Sequence, residues 1–583
     1  MSRLDWIVLA ITLLGIIAYG LYKSQTTRNL DGYFLSNRSM PWYLVLLSIM
    51  GTQASAVTFL SAPGQAYTDG MRFVQYYFGL PLAMVVLCIT FLPVFHKLKI
   101  YTAYEFLEKR FDLKTRTLTS FLFLLQRGLS TGISISAPSI ILSSLLGWDI
   151  MWTNIFMGGL LIIYTVTGGA RAVAYTQQLQ LIIIFGGMAV AGYMVVHLLP
   201  SNVGFMDALH VSGRAGKLNV ITTGYSDHHF DWNDRYNIWS GVIGGFFLAL
   251  SYFGTDQSQV GRYLTARNET ESKLGLLMNG LVKVPMQFMI LLVGVLVFSF
   301  YQFSSEPVFF NQSQLVLLSH SRYRDSLADL QVQYRQVQAD KVKGMNFLAS
   351  HAGDSTSPQY RQTRQALTLT DQKKSWYRGT VKRWLNDPKV GGDSNDTNYI
   401  FIRFVVDYLP RGLIGLLVAV IFLAAWGSIA AALNSLASCT IVDFHKRFSR
   451  KELSEATEYR LSRLYTLLWG LFCIVVAQLA YNIGNSLIEA VNVLGSLFYG
   501  VILGIFLVAF YLKRIRGNAV FLSALITESG VITIHILNQK GIVHLSFLWL
   551  NVVGAAGVLL LSWVLQAAGG GGIKKVGNEL PTC

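Results

Sequence analysis

Between Leu47 and Tyr67 runs an apolar stretch long enough to cross a bilayer, LSIMGTQASAVTFLSAPGQAY. It carries Thr52, Gln53, Ser55, Thr58 and Ser61, with Pro63-Gly64 near its far end. In hydrocarbon an unpaired backbone group costs several kcal/mol, so irregular backbone survives at that depth only where it lines a cavity or holds an ion. A span interrupted in this way points to the central binding site of a transporter. Gly51 and Ala54 are small enough for carbonyls freed by a break to reach a cation, although a Gly/Ala/Ser-rich span also serves as a helix-packing face. In IFLAAWGSIAAALNSLASCTIVDF, Ser428 offers an ion a hydroxyl, or bonds back to its own helix. Arg127, in SFLFLLQRGLSTGISISAPSIILSSLLGW, follows a basic cluster by some ten residues. At about 1.5 Å per residue it sits roughly 15 Å deep, near the midplane. A guanidinium there marks a functional site suited to bidentate pairing with a carboxylate; the alternative is a structural contact with backbone carbonyls or a nearby Asp. Tyr252, in LSYFGTDQSQVGRYLTARN, covers a solute with its ring and hydrogen-bonds it, or simply packs. Metal-spacing histidines, a nucleophile elbow and paired catalytic carboxylates are missing from the sequence, which argues against an enzyme.

The elements that must position these residues are membrane helices. Hydrophobic residues make up 52% of the 583 and charged ones 13%, against about 25% charged in a soluble domain. The net charge of +16 is spread in short clusters between apolar runs, the pattern of lysines and arginines that fix membrane topology and not of a nucleic-acid stripe. Cys88, Cys439 and Cys473 lie in apolar runs and Cys583 is the last residue, so no disulfide framework is implied. Asp5–Tyr22 is longer than a signal-peptide core, lacks a small-residue cleavage site after it, and reads as a retained first span. Thirteen runs qualify as spans, near 5–22, 42–67, 73–95, 117–147, 151–167, 176–199, 237–262, 275–301, 411–441, 461–481, 485–511, 518–537 and 544–567.

Alternate loops are basic. They hold Lys23, Arg28 and Arg38; Lys97, Lys99, Lys109, Arg110, Lys114 and Arg116; Arg262, Arg267 and Lys273; Lys446, Arg447, Arg450, Lys451, Arg460 and Arg463; Lys513, Arg514 and Arg516; and Lys574 and Lys575. The positive-inside rule puts these in the cytoplasm, with the N-terminus outside and the C-terminus inside. Residues 303–400 form a polar external insertion with thirteen Lys/Arg and nine Asp/Glu, helical near 312–345 and 359–386. It reads as a solvated hairpin capping the outer face, or as a surface for an unknown partner or for attracting anions. The segments are therefore 1–302, the insertion at 303–400, 401–511, and 512–583 with two last spans and a short tail.

At these residues the sequence resembles the sodium:solute symporter family along the whole chain except 303–400. The motifs are YTVTGGARAVAYTQQLQ (Tyr164–Gln180), DQSQVGRYL (Asp256–Leu264) and LGSLFYGVILGIFLVAFYLKR (Leu494–Arg514). The segment Ser55–Gly70 looks most like the iodide/monocarboxylate/multivitamin branch, which favours small anions. The resemblance implies an all-α, LeuT-like core with a five-plus-five inverted repeat, spans two to six and seven to eleven. It also implies a multi-pass protein of the plasma (inner) membrane that imports a small organic, anionic solute with sodium.

By position the resemblance puts sodium on the carbonyls of Gly51, Ala54 and Ala424 and the hydroxyl of Ser428. Many relatives have a second hydroxyl where this chain has Gly427. It puts the solute among Gln53, Ser55, Thr58, Tyr77, Arg127, Tyr252 and Asn492, with Tyr76 as an outer-gate aromatic. Some relatives hold a second sodium with an Asp that here is Gln177 and with serines that here are Ala430 and Ala431, so one coupled sodium is expected. An acidic residue that the proline carriers have in the broken helix is here Gln53, which together with Arg127 shifts the cavity towards anions. An uncoupled facilitator or channel, and a transporter-like membrane sensor, are the alternatives; the tail after Gln566 is short for a signalling domain.

Overall fold

The computed structural model describes residues 1–23, 30–226, 229–351, 357–449, 454–479 and 487–568. Arg28, Arg450, Lys451, Lys574, Lys575 and Cys583 lie outside them. Apart from a two-residue ribbon pairing Tyr225–Ser226 with His229–Phe230, the described chain is helical. After α1 (Arg3–Lys23), the run at 42–67 forms two helices, α2 (Trp42–Gln53) and α3 (Ala56–Asp69), parted at Ala54 and an extended Ser55. Pro63 is not the breakpoint; it sits inside α3. The Ser55 amide turns to the Gln53 carbonyl at 3.0 Å, so the Gly51 carbonyl loses its helical donor.

The next elements are α4 (80–98, with a wide turn at Leu87–Phe91) and α5 (Leu113–Leu146), whose first turn is capped by Asp112 accepting from the Thr115 amide. Helical backbone then runs through Ile150–His197 as α6. The Tyr164 hydroxyl nevertheless lies 2.6 Å from Thr176 Oγ1. Twelve residues of straight helix would separate their Cα atoms by about 18 Å, beyond the reach of both side chains. The chain therefore bends between these positions, and Ile150–Val166 and Val173–His197 are separate apolar stretches.

The run at 237–262 forms a second broken helix. Helix α7 (Gly245–Thr255) and α8 (Gln257–Tyr263) part at Asp256, whose carboxylate caps α8 by accepting from the Ser258 amide at 2.7 Å. The remaining long helices are α9 (Glu269–Phe303), α10 (Arg324–Ser350), α11 (Pro358–Leu385), α12 (Leu413–Cys439), α13 (Glu455–Leu479), α14 (Leu487–Tyr511), α15 (Gly517–Gln539) and α16 (Phe547–Ala568).

Nine helical stretches among the described residues are long and apolar enough to cross a membrane, and three shorter ones, Trp42–Gln53, Ile150–Val166 and Ser240–Thr255, are also apolar. Helix α12 is buried over almost its entire length, as a hydrophobic helix without a polar face must be. Small residues set the closest approaches. A methyl on Gly500 would lie 2.6 Å from the Asn551 carbonyl oxygen, and one on Gly554 would strike the Val501 amide, so α14 and α16 meet backbone to backbone. At one end of the bundle Asp443 accepts from Arg116, Thr102 and Ser120, while Arg116 also pairs with Glu108 at 2.6 Å. This network ties α5 to the end of α12.

The insertion has its own apolar core, in which Phe309, Leu318, Leu330, Tyr334, Val381 and Leu385 pack between α10 and α11. Its base is a buried charge cluster. Glu306 meets Lys374 at 2.5 Å, Arg378 at 3.2 Å and Lys341 at 4.0 Å, and Arg378 meets Asp396 at 2.9 Å. The last residues of the 303–400 insertion are seated on the helical body. A methyl on Gly64 of α3 would sit 2.0 Å from the Thr397 carbonyl oxygen, and Asn398 Oδ1 accepts from the Leu487 amide at the start of α14.

Burial pushes the Glu306 carboxyl up, but the three cations outweigh it and hold it at about 2, below its ordinary 4.5. Its contribution is therefore complete above about pH 4.5 and is lost as pH falls through 2. Removing one partner of a buried pair costs about 3–5 kcal/mol. Glu306→Gln should lower hydrogen-exchange protection in α10 and α11 by at least about a hundredfold at pH 7, while α12 and α14 keep theirs.

Candidate functional site

The break between α2 and α3 faces a cavity of about 120 Å³, which α7 borders through Leu248, Ala249, Tyr252 and Phe253 ahead of its own break. It is bordered by α2 and α3 around their break, the 70–77 turn, α5, α7, α12 and α14. All seven residues expected at a solute site lie on its wall: Gln53, Ser55, Thr58, Tyr77, Arg127, Tyr252 and Asn492. Tyr76 borders it too and donates from its hydroxyl to Asn492 Oδ1 at 3.2 Å. That bond joins the 70–77 turn to α14 across the cavity, and the Tyr76 ring stacks on Phe73 with centroids 5.6 Å apart. Gln53 Oε1 is buried and accepts no hydrogen bond from the protein among the described residues.

Of the expected sodium ligands, Ser428 lines the cavity, and Gly51, Ala54 and Ala424 are buried behind its wall. The Ser428 hydroxyl donates to the Ala424 carbonyl at 3.1 Å and to that of Ala425 at 3.2 Å. This is the back-bond that a serine adopts in an apolar helix, and it leaves the hydroxyl lone pairs available to a cation. Thr52 also borders the cavity, with its hydroxyl bonded back to the Ser48 carbonyl.

Gln177 joins the broken helix to α12. Its Nε2 donates to Thr52 Oγ1 at 3.2 Å and to the Gly427 carbonyl at 3.1 Å, and its Oε1 accepts from Ser48 at 2.9 Å. Glycine at 51 and at 427 is explained by this amide. A methyl at 51 would press on Gln177 Cβ at 2.9 Å, and one at 427 on Gln180 Oε1 at 2.6 Å and on Gln177 Cγ at 3.2 Å.

Arg127 is the only charged side chain on the cavity wall among the described residues. Its Nη1 lies 3.6 Å from Asp256 Oδ2, an ion-pair distance too long for a hydrogen bond. Its Nε makes no hydrogen bond to the protein among the described residues, and its guanidinium carbon is 5.8 Å from the Tyr252 ring centroid. Asp256 is held independently by the Tyr499 hydroxyl, which donates to Oδ2 at 2.6 Å, and by the Ser258 amide. The sequence reading left a structural Asp contact open for Arg127, and the partner is Asp256. Asp256 and Tyr499 were missed as site residues, although a carboxylate inside the apolar run LSYFGTDQ was itself a signal.

The model of the family described as "SSF: Sodium:solute symporter family" matches residues 33–317 and 382–527. The sodium/sialic acid symporter NanT of Aliivibrio fischeri is 23% identical over 97% of this chain and 93% of its own length. The human sodium/iodide cotransporter is 31% identical over 51% of this chain and 45% of its own. Among solved structures, the substrate-bound outward-open state of a Na+-coupled sialic acid symporter superposes with a TM-score of 0.73 at 21% identity. That superposition covers 97% of this chain and 98% of the other.

A cation held by several oxygens loses part of its binding energy when one hydroxyl is deleted. Ser428→Ala should raise the half-saturating sodium concentration about tenfold, roughly 1.4 kcal/mol, in sodium-dependent thermal-shift titrations. An unchanged midpoint removes Ser428 from the ion site.

Proposed function

Since this chain belongs to the sodium:solute symporter family, and is thus a multi-pass membrane transporter driven by sodium and not an enzyme, we propose that it imports a small organic acid together with one sodium ion by alternating access. The observation that carries the reading is the cavity between two broken helices, whose one charged wall residue is an arginine with a spare donor.

Sodium would bind where α2 unwinds against α12, on the carbonyls of Gly51, Ala54 and Ala424 and the hydroxyl of Ser428, with water or solute completing its shell. A second sodium has no anionic ligand on this wall. Position 177 is an amide whose donors are taken by Thr52 Oγ1 and the Gly427 carbonyl, and Ala430 and Ala431 offer no hydroxyl. The solute's carboxylate would take the free edge of Arg127, with Gln53, Ser55, Thr58, Tyr77, Tyr252 and Asn492 around its body. Tyr76 would close over it from outside through Asn492.

Sodium favours the outward-facing state only by binding it more tightly than the inward one. In this orientation thirteen crossings put the basic loops in the cytoplasm and the insertion outside a plasma membrane, where the hairpin caps the outer face.

The test is uptake by proteoliposomes under an inward sodium gradient, with sialic acid, lactate and iodide supplied singly. Failure of every solute to accumulate faster with sodium than with potassium refutes the reading. A monoanion carried with one sodium moves no net charge, so imposing 100 mV should change the uptake rate less than about twofold. A neutral solute would instead gain about 2.3 kcal/mol of drive. Arg127→Gln should abolish uptake of acids and spare neutral solutes; equal loss of both would make the residue structural.

A further inference from the structure

Arg127 and Asp256 divide their hydrogen bonds unequally. Asp256 has an independent donor set in the Tyr499 hydroxyl and the Ser258 amide, so it stays satisfied if the guanidinium turns away. Arg127 touches it only at 3.6 Å, keeps an unpartnered Nε, and is the member of the pair that borders the cavity. The carboxylate thus acts on Arg127 chiefly through charge. It offsets one positive unit beneath the cavity while leaving donors for an incoming acid.

We propose that Asp256 makes acid binding depend on sodium. This rests on the sodium–acid reading given above and deepens it. With Asp256 ionised, an acid entering the cavity meets an arginine whose charge is already matched, so the complex carries an extra negative unit. A sodium ion at the break of α2, on the same cavity, offsets that unit, and each ligand raises the affinity of the other by the same factor. If the Asp256 charge is removed, the arginine is unmatched, the acid itself supplies the missing anion, and sodium is no longer needed for it to stay. Two other buried cations lie near, Lys283 with its ammonium 5.4 Å from the Tyr77 ring centroid, and Arg262 in α8. Neither borders the cavity, and both remain in every variant compared, so the comparison reads Asp256 alone.

The experiment measures binding of sialic acid, lactate and iodide to purified full-length protein, each in sodium and in potassium. In the wild type, sodium should strengthen binding of at least one acid by about fivefold or more. Asp256→Asn should bind that acid in potassium as tightly as the wild type does in sodium, within about threefold, and the sodium-to-potassium ratio should fall below about two. Asp256→Ser, smaller and equally uncharged, must do the same and gives a second reading where the Asn variant does not insert. Asp256→Glu keeps the charge and should restore the ratio. An uncharged variant that retains the wild-type ratio overturns the proposal. A wild type that binds none of the three, or binds them equally in both salts, overturns the sodium–acid reading and this proposal with it, before any variant is compared.

Discussion

Where α2 ends and α3 begins, backbone carbonyls leave their helical partners inside an apolar interior, and a primary amide 120 residues further on holds the region together. Gln177 reaches Ser48 and Thr52 on α2 and the Gly427 carbonyl on α12. An unpaired polar group in hydrocarbon costs several kcal/mol, and beside the unwound stretch this amide meets the hydroxyls of Ser48 and Thr52 and the Gly427 carbonyl, donating and accepting at once. The glycines at 51 and 427 give that amide room. Much of the cavity's geometry follows from this clasp, because it fixes how far the broken helix stands from α12 and hence where Ser428 lies relative to the freed carbonyls.

Charge inside the bundle is handled by matched pairs with unequal satisfaction. Asp443 is saturated by Arg116, Thr102 and Ser120 and belongs to the frame. Asp256 is also saturated, but its arginine is not, and that arginine faces the space where a solute would sit. The contrast separates structural ion pairs from one with donors to spare, a distinction that distance alone would not make.

Parts of this were legible in the chain. The first break could be read because Gly51, Thr52, Gln53, Ala54 and Ser55 interrupt an apolar run, and small or polar residues at that depth have few other uses. The helical insertion could be read from its polarity, and the seven residues expected around a solute border one cavity, whereas of the expected sodium ligands only Ser428 does. The second break could not be read so easily, because its polar stretch Thr255–Gln259 lies close to Arg262 and so reads as the end of a span and not as an interruption of one. Helix periodicity carries no information about partners more than a hundred positions apart, so the pairing of Arg127 with Asp256 and the reach of Gln177 stayed hidden. The seating of the insertion's end stayed hidden for a related reason. Thr397 and Asn398 look like loop, and the contact of Thr397 with Gly64 and the bond of Asn398 to the Leu487 amide appear only in three dimensions.

That seat has a practical bearing on engineering. Since nothing larger than hydrogen fits between α3 and the Thr397 carbonyl, the hairpin's last few residues and the outer half-helix behave as a single keyed joint. A rigid fusion grafted onto the hairpin as a marker for imaging would stay in register with the transport machinery only if 396–399 is copied unchanged, and trimming the splice by a residue would dislodge the half-helix itself.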